Sequence, residues 1–589
     1  MGRPKQVQAA RPGSSRREFF KRSGAGTMAA LAAAPGLLPG SAAAERERES
    51  ESGPFAFLHG VASGDPLPDR VILWTRVTPL LPTRRIEVSY AVATDPSMKR
   101  VVLRGENRTD ASRDYTVKVD AIGLKPGQTY YYQFKIDGDN DKNDGQDESK
   151  RQGKRDRKSP VGRTRTLPVG RAQSLRMAVV SCSNHAYGYF NAYARIAARA
   201  DLDLVMHLGD YLYEYGANQY GSARTPEPAT EILSLADYRA RHAQYKRDAD
   251  SQAMHRQHAF IAIWDDHETA NNSWKNGAEN HDAATEGDWN ARVAAALQAY
   301  YEWMPVRVID PANLRRDDRT FAFGDLADLI MLEERLGARS EQLPAPIPLG
   351  NGLTGFTLAI PGYTDPTRQM LGAEEEGRLF NQLRSTSARW KLLGQGVMFS
   401  QLKAVGAPNA AGGGVFFNSD QWDGYPPARQ RIFDVLQGAG GQPKVNNVVV
   451  LTGDIHSSFA ADVTPDPNNP TVALGGYDKA TGEGAIAVEF VGTSVTSPGA
   501  VPADPGGAVA NSLKPANPHL KYINLDKRGY MLIDVNRDRV VSEWWYVDTV
   551  ASPSNIETFA TAWEVRTDTQ RLQPSSQTPN RPNPPALAP

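Results

Sequence analysis

The chain has 589 residues, of which 40% are hydrophobic and 23% are charged, which is ordinary for a globular protein of two or three domains. Lys and Arg together number 67 and Asp and Glu also number 67, so the formal net charge is zero. That balance argues against a protein that binds nucleic acid through its overall charge, and we expect no sequence-specific nucleic-acid partner.

Residues 1–44 predict an export signal rather than part of the fold. Arg16 and Arg17 lie in a twin-arginine motif, which a weakly apolar run over residues 24–38 follows. Alanines at 42–44 offer a cleavage site. Prolines interrupt the apolar run, which is too short to cross a membrane comfortably. We therefore expect the Tat export machinery as a partner, a periplasmic or secreted destination, and no stable membrane insertion after processing.

After a charged linker at 45–53, residues 54–168 predict an all-β domain. Turn signals separate β-branched and aromatic runs at 71–74, 86–90, 115–119 and 130–134. This spacing is typical of an immunoglobulin-like sandwich. Residues 137–159 have almost nothing to bury and predict an exposed, disordered insertion.

From residue 169 to 550 the pattern changes to strands that alternate with helices, which predicts a layered α/β domain with flanking helices. The apolar residues have helical spacing at 190–199, 236–247, 289–303, 372–383 and 427–436. Late strands are predicted at 485–491, 530–535 and 540–546. For residues 551–589 we expect a short helix over Glu557 to Val565 and then a disordered tail.

Four short apolar runs are each followed by side chains that bind metals. Because the carboxyl ends of such strands carry the sites of α/β proteins, four such clusters in one chain indicate a two-metal hydrolase site. The clusters are Cys182 after 177–180, Asp210 and Tyr213 after 204–207, Asp265, Asp266 and His267 after 260–263, and Asp454 and His456 after 448–451.

Each cluster also has a simpler interpretation. Cys182 is the only cysteine, so no intrachain disulfide can form, and a free cysteine is most often a small buried hydrophobe. Tyr213 would be a strong ligand only for an ion such as Fe³⁺, and otherwise a packed loop aromatic. Asp454 and His456 share one side of an extended segment, but they also fit a capping aspartate and a surface histidine.

The acidic run at 265–268 is expensive to bury without a cation, and its alternative is a solvated acidic loop. Within it, Glu268 is a candidate for capping or orientation. Asn271 and Asn272 follow and offer neutral oxygen ligands for a further Ca²⁺.

Several other segments occur in the order of one known family: residues 58–66, 74–76, 420–425 and 453–458. Together with the four clusters, they resemble the alkaline phosphatase D (PhoD-type) family of calcineurin-like metallophosphoesterases, related to purple acid phosphatases. The resemblance implies a metallophosphoesterase sandwich that hydrolyses small-molecule phosphate esters by attack of a metal-bound hydroxide.

The resemblance also implies a cofactor set. Fe³⁺ would be held by Cys182, Asp210, Tyr213 and His456. Asp210 would bridge to Ca²⁺, which Asp266 and Asp454 would also ligate. The alternative to Asp266 as this calcium ligand is its neighbour Asp265.

Three further residues receive substrate roles from the resemblance. His267 would face the substrate and protonate the leaving group, and Asn184 would bind substrate. Arg335 would clamp a phosphate oxygen, but the family commonly shows Asp-Thr-Arg where this chain has Glu333 and Glu334 before it. The alternative for Arg335 is a surface ion pair with one of those glutamates.

Two other functions are weighed. The first is a phospholipase-D-like enzyme that releases headgroups from phospholipids. The second is a non-catalytic cell-surface binding protein, which predicts missing ligands, whereas every expected ligand type is present. The segments 337–363 and 401–418, and residues after 550, are candidates to cover the site entrance.

Overall fold

The computed structural model describes residues 55–79, 85–136, 158–350 and 353–589. The predicted export signal and linker, and the predicted insertion up to residue 157, lie outside these described residues.

The N-terminal region is built of β-strands in two layers. The strands are β1 (Phe55–Ala56), β2 (Val61–Gly64), β3 (Arg70–Arg76), β4 (Thr78–Pro79), β5 (Ile86–Ala93), β6 (Val101–Thr109), β7 (Thr116–Ile122), β8 (Thr129–Ile136) and β9 (Gly162–Arg165). A sheet of order β6-β5-β8-β9 packs on β2, β3 and β7 through buried residues such as Leu73, Val88 and Phe134. The four predicted runs lie in these strands, except for Tyr115, which precedes β7.

The larger region alternates strands and helices, as its sequence pattern predicts. Its first half contains β10 (Ser174–Val180), α1 (Asn191–Ala197), β11 (Leu204–His207), α2 (Leu235–Arg247), α3 (Ala249–Gln257), β12 (Ala259–Ala262), β13 (Ser273–Trp274), β14 (Gly277–Ala278), α4 (Ala283–Glu286), α5 (Trp289–Trp303), β15 (Arg319–Phe323) and β16 (Ala327–Met331).

Its second half contains β17 (Ile347–Gly350), β18 (Leu353–Gly355), α6 (Ala373–Ser385), β19 (Trp390–Gln395), β20 (Lys403–Gly406), β21 (Gly414–Phe416), α7 (Pro426–Gln437), β22 (Val448–Thr452), β23 (Ser458–Val463), β24 (Ala487–Val491), α8 (Ala508–Leu513), β25 (Leu520–Asn524), β26 (Gly529–Asn536), β27 (Arg539–Val547), β28 (Glu557–Arg566) and β29 (Leu572–Ser575).

Two large sheets form the centre of the α/β region. One has ten strands in the order β29-β28-β27-β26-β10-β11-β12-β2-β3-β7, and the other has seven in the order β15-β16-β19-β22-β24-β23-β25. The strands β10, β11 and β12 are parallel, as are β19, β22 and β24. Because β2 pairs with β12, the ten-stranded sheet continues into the N-terminal region, so the predicted immunoglobulin-like domain shares a sheet with its neighbour.

The two sheets pack face to face between layers of helices. Met206 of β11 and Val449 of β22 point into the core between the sheets. Their neighbours Val205 and Val450 point outward, because successive side chains of a strand alternate. Helices α1, α2, α3 and α5 cover the outer face of the ten-stranded sheet, and α6 and α7 cover the outer face of the other. This four-layer arrangement agrees with an α/β phosphoesterase fold.

The C-terminal prediction is wrong in two respects. The expected helix over Glu557 to Val565 is the strand β28, which pairs antiparallel with β27. Its β-branched and aromatic side chains suit a strand, and β27 and β29 supply backbone partners on its two sides.

The tail after β29 is ordered by hydrogen bonds and an ion pair. Ala588 exchanges two backbone hydrogen bonds with the amide side chain of Gln257, of 2.8 and 3.0 Å. The guanidinium of Arg581 lies 2.6 Å from the carboxylate of Asp203. Both partners lie just before the amino ends of β11 and β12. The tail therefore packs at the edge opposite to the strand ends that carry the candidate ligands, and it does not cover them.

Among the described residues, none of the helices is both long enough and apolar enough to cross a membrane.

Candidate metal centre

The predicted metal ligands meet where the central strands of both sheets end. Cys182 follows β10, Asp210 follows β11, and Asp454 and His456 follow β22. These four residues have positive φ angles of 61°, 54°, 56° and 55°. Side chains other than glycine rarely adopt this region, and such strain concentrates at functional sites.

Two glycines allow the loops to approach Asp265. A Cβ atom on Gly209, whose φ is +97°, would lie 2.3 Å from the Cβ of Asp265. A Cβ atom on Gly396 would lie 2.6 Å from Oδ1 of the same residue. Both distances are shorter than atoms tolerate, so the two sheets close on Asp265 only with glycine at these positions.

The ligand atoms form three overlapping groups, each with its members within 4.8 Å of one another. Asp210 and Asp266 each belong to two groups, whereas Asp265 belongs to one. Overlapping groups that share carboxylates suit two neighbouring cations. The groups are Cys182 with Asp210 and His456, Asp210 with Asp266 and His267, and Asp265 with Asp266 and Asp454.

Tyr213 lies against the first group. Its hydroxyl donates to Oδ2 of Asp210 and lies 3.0 Å from Nε2 of His456. The hydroxyl of Ser497 donates to the hydroxyl oxygen of Tyr213 at 2.6 Å. The imidazole of His456 is oriented from the other side, since its Nδ1 lies 2.8 Å from the carbonyl oxygen of Pro498.

The chemistry of this donor set fits bound cations. Burial and the neighbouring Asp210 raise the pKa values of the Cys182 thiol and the Tyr213 hydroxyl well above their usual ranges. Burial also raises the pKa of Asp265. Oδ2 of Asp265 and Oδ1 of Asp266 accept no hydrogen bond from the described residues. Cations would supply the charge that these buried acids and unpaired oxygens need.

Arg335 is the buried cation of the site. It forms an ion pair with Asp265, and its NH1 group donates to both carboxylate oxygens of Asp420 at 3.0 and 2.9 Å. NH2 lies 3.7 Å from Asp266 and 3.5 Å from Asp454. The alternative of a surface ion pair with Glu333 or Glu334 is therefore wrong, since the guanidinium is fully buried among aspartates.

His267 is held between carboxylates. Its Nδ1 lies 2.6 Å from Oε2 of Glu214, whose other oxygen accepts from Asn280 at 2.8 Å. Burial lowers the pKa of His267, but Asp266, Glu214 and Asp210 outweigh it and hold the pKa well above its usual range. Because Nδ1 faces Glu214, Nε2 is the ring nitrogen that remains for another partner.

The remaining candidates shape the loops around the ligands. Glu268 accepts from the backbone N–H groups of Asp210, Tyr211 and Asp265, which is the orienting role considered for it. Asn184 donates from its amide to the carbonyl oxygen of Tyr220 at 2.7 Å.

Asn271 and Asn272, considered for a further calcium, serve their neighbours through backbone N–H groups. Asn271 donates to Glu214 at 2.8 Å, and Asn272 donates to Oδ2 of Asp266 at 2.5 Å.

Sequence reasoning missed the roles of Asp420, Asn280 and Ser497. Asp420 lies in a segment that resembles the family, but nothing in the sequence indicates that it pairs with Arg335, 85 residues away. Asn280 and Ser497 follow no apolar strand, so no periodic signal marks them. The signal available in the sequence was Arg335 itself, because an arginine that becomes buried needs carboxylate partners.

Comparison with known proteins identifies the family. The sequence model described as "PhoD-like phosphatase" matches residues 177–544, and the one described as "PhoD-like phosphatase, N-terminal domain" matches residues 41–168. The chain belongs to the PhoD-like phosphatase family.

Two relatives of this phosphatase support the assignment. "Alkaline phosphatase D" of Bacillus subtilis (strain 168) is 34% identical over 550 residues, which covers 91% of this chain and 85% of the relative. The solved structure titled "Structure of PhoD" superposes with a TM-score of 0.75 at 33% identity, and the match covers 89% of this chain and 93% of that one. The PhoD-like phosphatase described here is therefore a phosphoric ester hydrolase, and its α/β sandwich is the fold of its family.

Proposed function

We propose that this phosphatase hydrolyses phosphate monoesters and diesters at a centre of Fe³⁺ and Ca²⁺, after export by the twin-arginine route. The observation that carries the proposal is the sharing of Asp210 and Asp266 between ligand groups at the strand ends. In this proposal Cys182, Asp210, Tyr213 and His456 hold the iron, and Asp210, Asp266 and Asp454 hold the calcium. Bound there, the two cations would neutralise phosphate oxygens and lower the pKa of a coordinated water.

His267 is the proton donor in this proposal. Its Nδ1–H points to Glu214, so the proton available to a substrate is the one on Nε2. That proton passes to the oxygen of the leaving alcohol as the ester bond to phosphorus breaks, which is the step that a poor leaving group needs most. Glu214 keeps the imidazole oriented and stabilises its charged form.

Asn184 and Arg335 remain substrate-binding candidates with different support. Arg335 lies among the aspartates of the calcium group, so its positive charge would reach a phosphate only beside those carboxylates. The amide of Asn184 already donates to Tyr220, which leaves its carbonyl oxygen to the backbone N–H of Ala186 at 3.0 Å. Its contribution would come through the shape of the loop.

The decisive experiment measures metals and rates on the same purified protein. We expect about one iron per chain together with calcium, a visible absorption band from tyrosinate on Fe³⁺, and hydrolysis of a soluble monoester and a diester. Full activity in a colourless, iron-free preparation contradicts the iron assignment. A phosphatidylcholine dispersion, cleaved faster than either soluble ester, would favour the phospholipase-D-like alternative.

Export is tested separately. Replacing Arg16 and Arg17 together with lysine should retain the protein inside the expressing cell if the twin-arginine motif directs export. Unchanged appearance of the double variant outside the cytoplasm contradicts the proposed route.

A further inference from the structure

A second arginine lies at the catalytic edge of the ten-stranded sheet. Arg528 immediately precedes β26, which runs antiparallel to β10 with Met531 opposite Val179. The start of β26 therefore lies beside the end of β10, where Cys182 follows. Arg528 is therefore at the same edge as Cys182, although the two residues lie far apart in the sequence.

The guanidinium of Arg528 has no carboxylate within ion-pair distance among the described residues. NH1 donates to the backbone carbonyl oxygens of Asp526 and Lys527 at 2.7 and 3.0 Å. Nε is buried and has no acceptor, and the residue is only 8% exposed. By contrast, Arg335 is surrounded by aspartates. A buried guanidinium held only by neutral oxygens keeps its charge available for an anion.

The turn that packs against Arg528 also contacts a candidate metal ligand. A Cβ atom on Gly499 would lie 2.9 Å from NH1 and 3.1 Å from NH2 of Arg528. The preceding residue, Pro498, accepts the hydrogen bond of the ligand His456. The backbone of Gly499 thus packs directly against the guanidinium, next in the chain to the residue that orients His456, and only glycine allows this close approach.

Tyr187 forms the other side of this position. The guanidinium carbon lies 5.9 Å from the centre of the Tyr187 ring, a contact of the cation–π type. Burial lowers the pKa of Arg528, and the nearby hydroxyl of Tyr187 opposes that effect. Tyr187 belongs to the loop between β10 and α1, which also carries Asn184. This loop and the Pro498–Gly499 turn therefore both contact Arg528 at the catalytic edge.

We propose that Arg528 binds a second phosphate on the substrate, next to the phosphate held at the metal centre. This inference rests on the proposed function and narrows it to phosphate esters that carry another anionic phosphate beyond the scissile one. Pro498 and Gly499 stand between Arg528 and His456 in the chain of contacts, so we assign Arg528 to a phosphate other than the metal-bound one. It is a specificity residue in this role and takes no part in bond cleavage.

The test compares two alkyl esters that differ by one phosphate, glycerol phosphate and glycerol 1,3-bisphosphate, on the metal-loaded enzyme. In Arg528→Met we expect the KM for the bisphosphate to rise about tenfold, which corresponds to about 1.4 kcal/mol. We expect kcat for both esters and KM for glycerol phosphate to stay within about twofold. Arg528→Lys keeps the charge, so its KM for the bisphosphate should lie between those of the wild type and Arg528→Met. Arg384→Met, on the exposed face of α6, is the control.

Equal rises of KM for both esters would overturn the inference, and so would no rise for either. Should Arg528→Met fail to fold, Arg528→Gln and the wild-type salt dependence replace it. The KM of the wild-type enzyme for the bisphosphate should rise more steeply with ionic strength than its KM for the monophosphate. Calorimetric binding of glycerol 1,3-bisphosphate separates the two proposals. If neither ester is hydrolysed, the proposed function fails, while a tenfold weaker Kd in Arg528→Met still supports the role of Arg528.

Discussion

Nδ1 of His267 lies 2.6 Å from Oε2 of Glu214, and both side chains are buried. The same carboxylate accepts from the side chain of Asn280 and from the backbone of Asn271. With three donors, Glu214 has a fixed position, and it transmits that position to the imidazole. The pair therefore orients the candidate proton donor of the site.

Glu214→Gln should lower kcat by about 10- to 100-fold on alkyl phosphates, since partners that orient a catalytic group act at this scale. The loss should be smaller on p-nitrophenyl phosphate, because its good leaving group needs little protonation. Steady-state kinetics on both esters measure the difference. Glu227→Gln, an exposed glutamate paired with Arg247, is the control. Equal losses on the two esters contradict the role of His267 as proton donor.

Cys182→Ala should lower iron content and rate together. The thiol is buried at a strained strand end beside Asp210 and His456, and a bound metal keeps such a thiol deprotonated. Elemental analysis and the visible band report iron independently of activity. If the variant keeps its full iron content, Cys182 is a packing residue after all.

Arg335→Met should destabilise the fold by about 3–5 kcal/mol, because it leaves buried carboxylates without their cation. The loss should be larger after chelation, when no metal compensates those charges. Thermal unfolding of metal-loaded and chelated protein measures both effects, and adding Asp420→Asn should recover part of the loss. A variant of unchanged stability with a raised KM would instead assign Arg335 to substrate binding alone.

Acidification should destabilise the protein through buried histidines far from the centre. Burial lowers the pKa values of His258 and His519 from 6.5 to about 3. Between pH 6.5 and about 3, the unfolded chain binds more protons than the folded one. The stability that the neutral imidazoles contribute is therefore fully present above pH 6.5 and is lost as the pH falls. At pH 5, each of the two histidines lowers the free energy of unfolding by about 2 kcal/mol.

The measurement is the unfolding midpoint of the wild type and of His519→Gln between pH 7.5 and 5. As the pH falls, the wild type should lose stability faster than the variant. The difference in slope corresponds to the uptake of up to one more proton on unfolding, because the variant has one buried imidazole fewer. Parallel curves for the two proteins contradict the assignment of His519 as a buried neutral group.

The grouping of the candidate ligands could be predicted from sequence because the clusters that contain them follow short apolar strands directly. Strand ends converge in an α/β fold, so Cys182, Asp210 and Asp454 are brought together by the topology alone. The partners of Arg335 could not be predicted in this way. Asp265 reaches it from the facing sheet, where it follows β12, and Asp420 reaches it from the long connection between β19 and β22. No local period in the sequence reports either approach.

The segment over Glu557 to Val565 shows where local reasoning fails. Its apolar residues suit a helical period and a strand period almost equally over so few positions. The choice was decided by β27, whose unpaired edge accepts a further strand. The tail after it has a composition typical of disorder, yet Ala588 and Arg581 find partners that only the folded body provides.

The position of this tail determines how the enzyme can be attached to a solid support. Ala588 is held at the end of α3, on the face opposite to the metal ligands, so a tether joined there points the catalytic edge into the bulk solution. Immobilisation through the tail should leave turnover of small esters unobstructed. The same attachment would pull first on the contacts with Gln257 and Asp203, so that force applied through it releases the tail before it reaches the ligands.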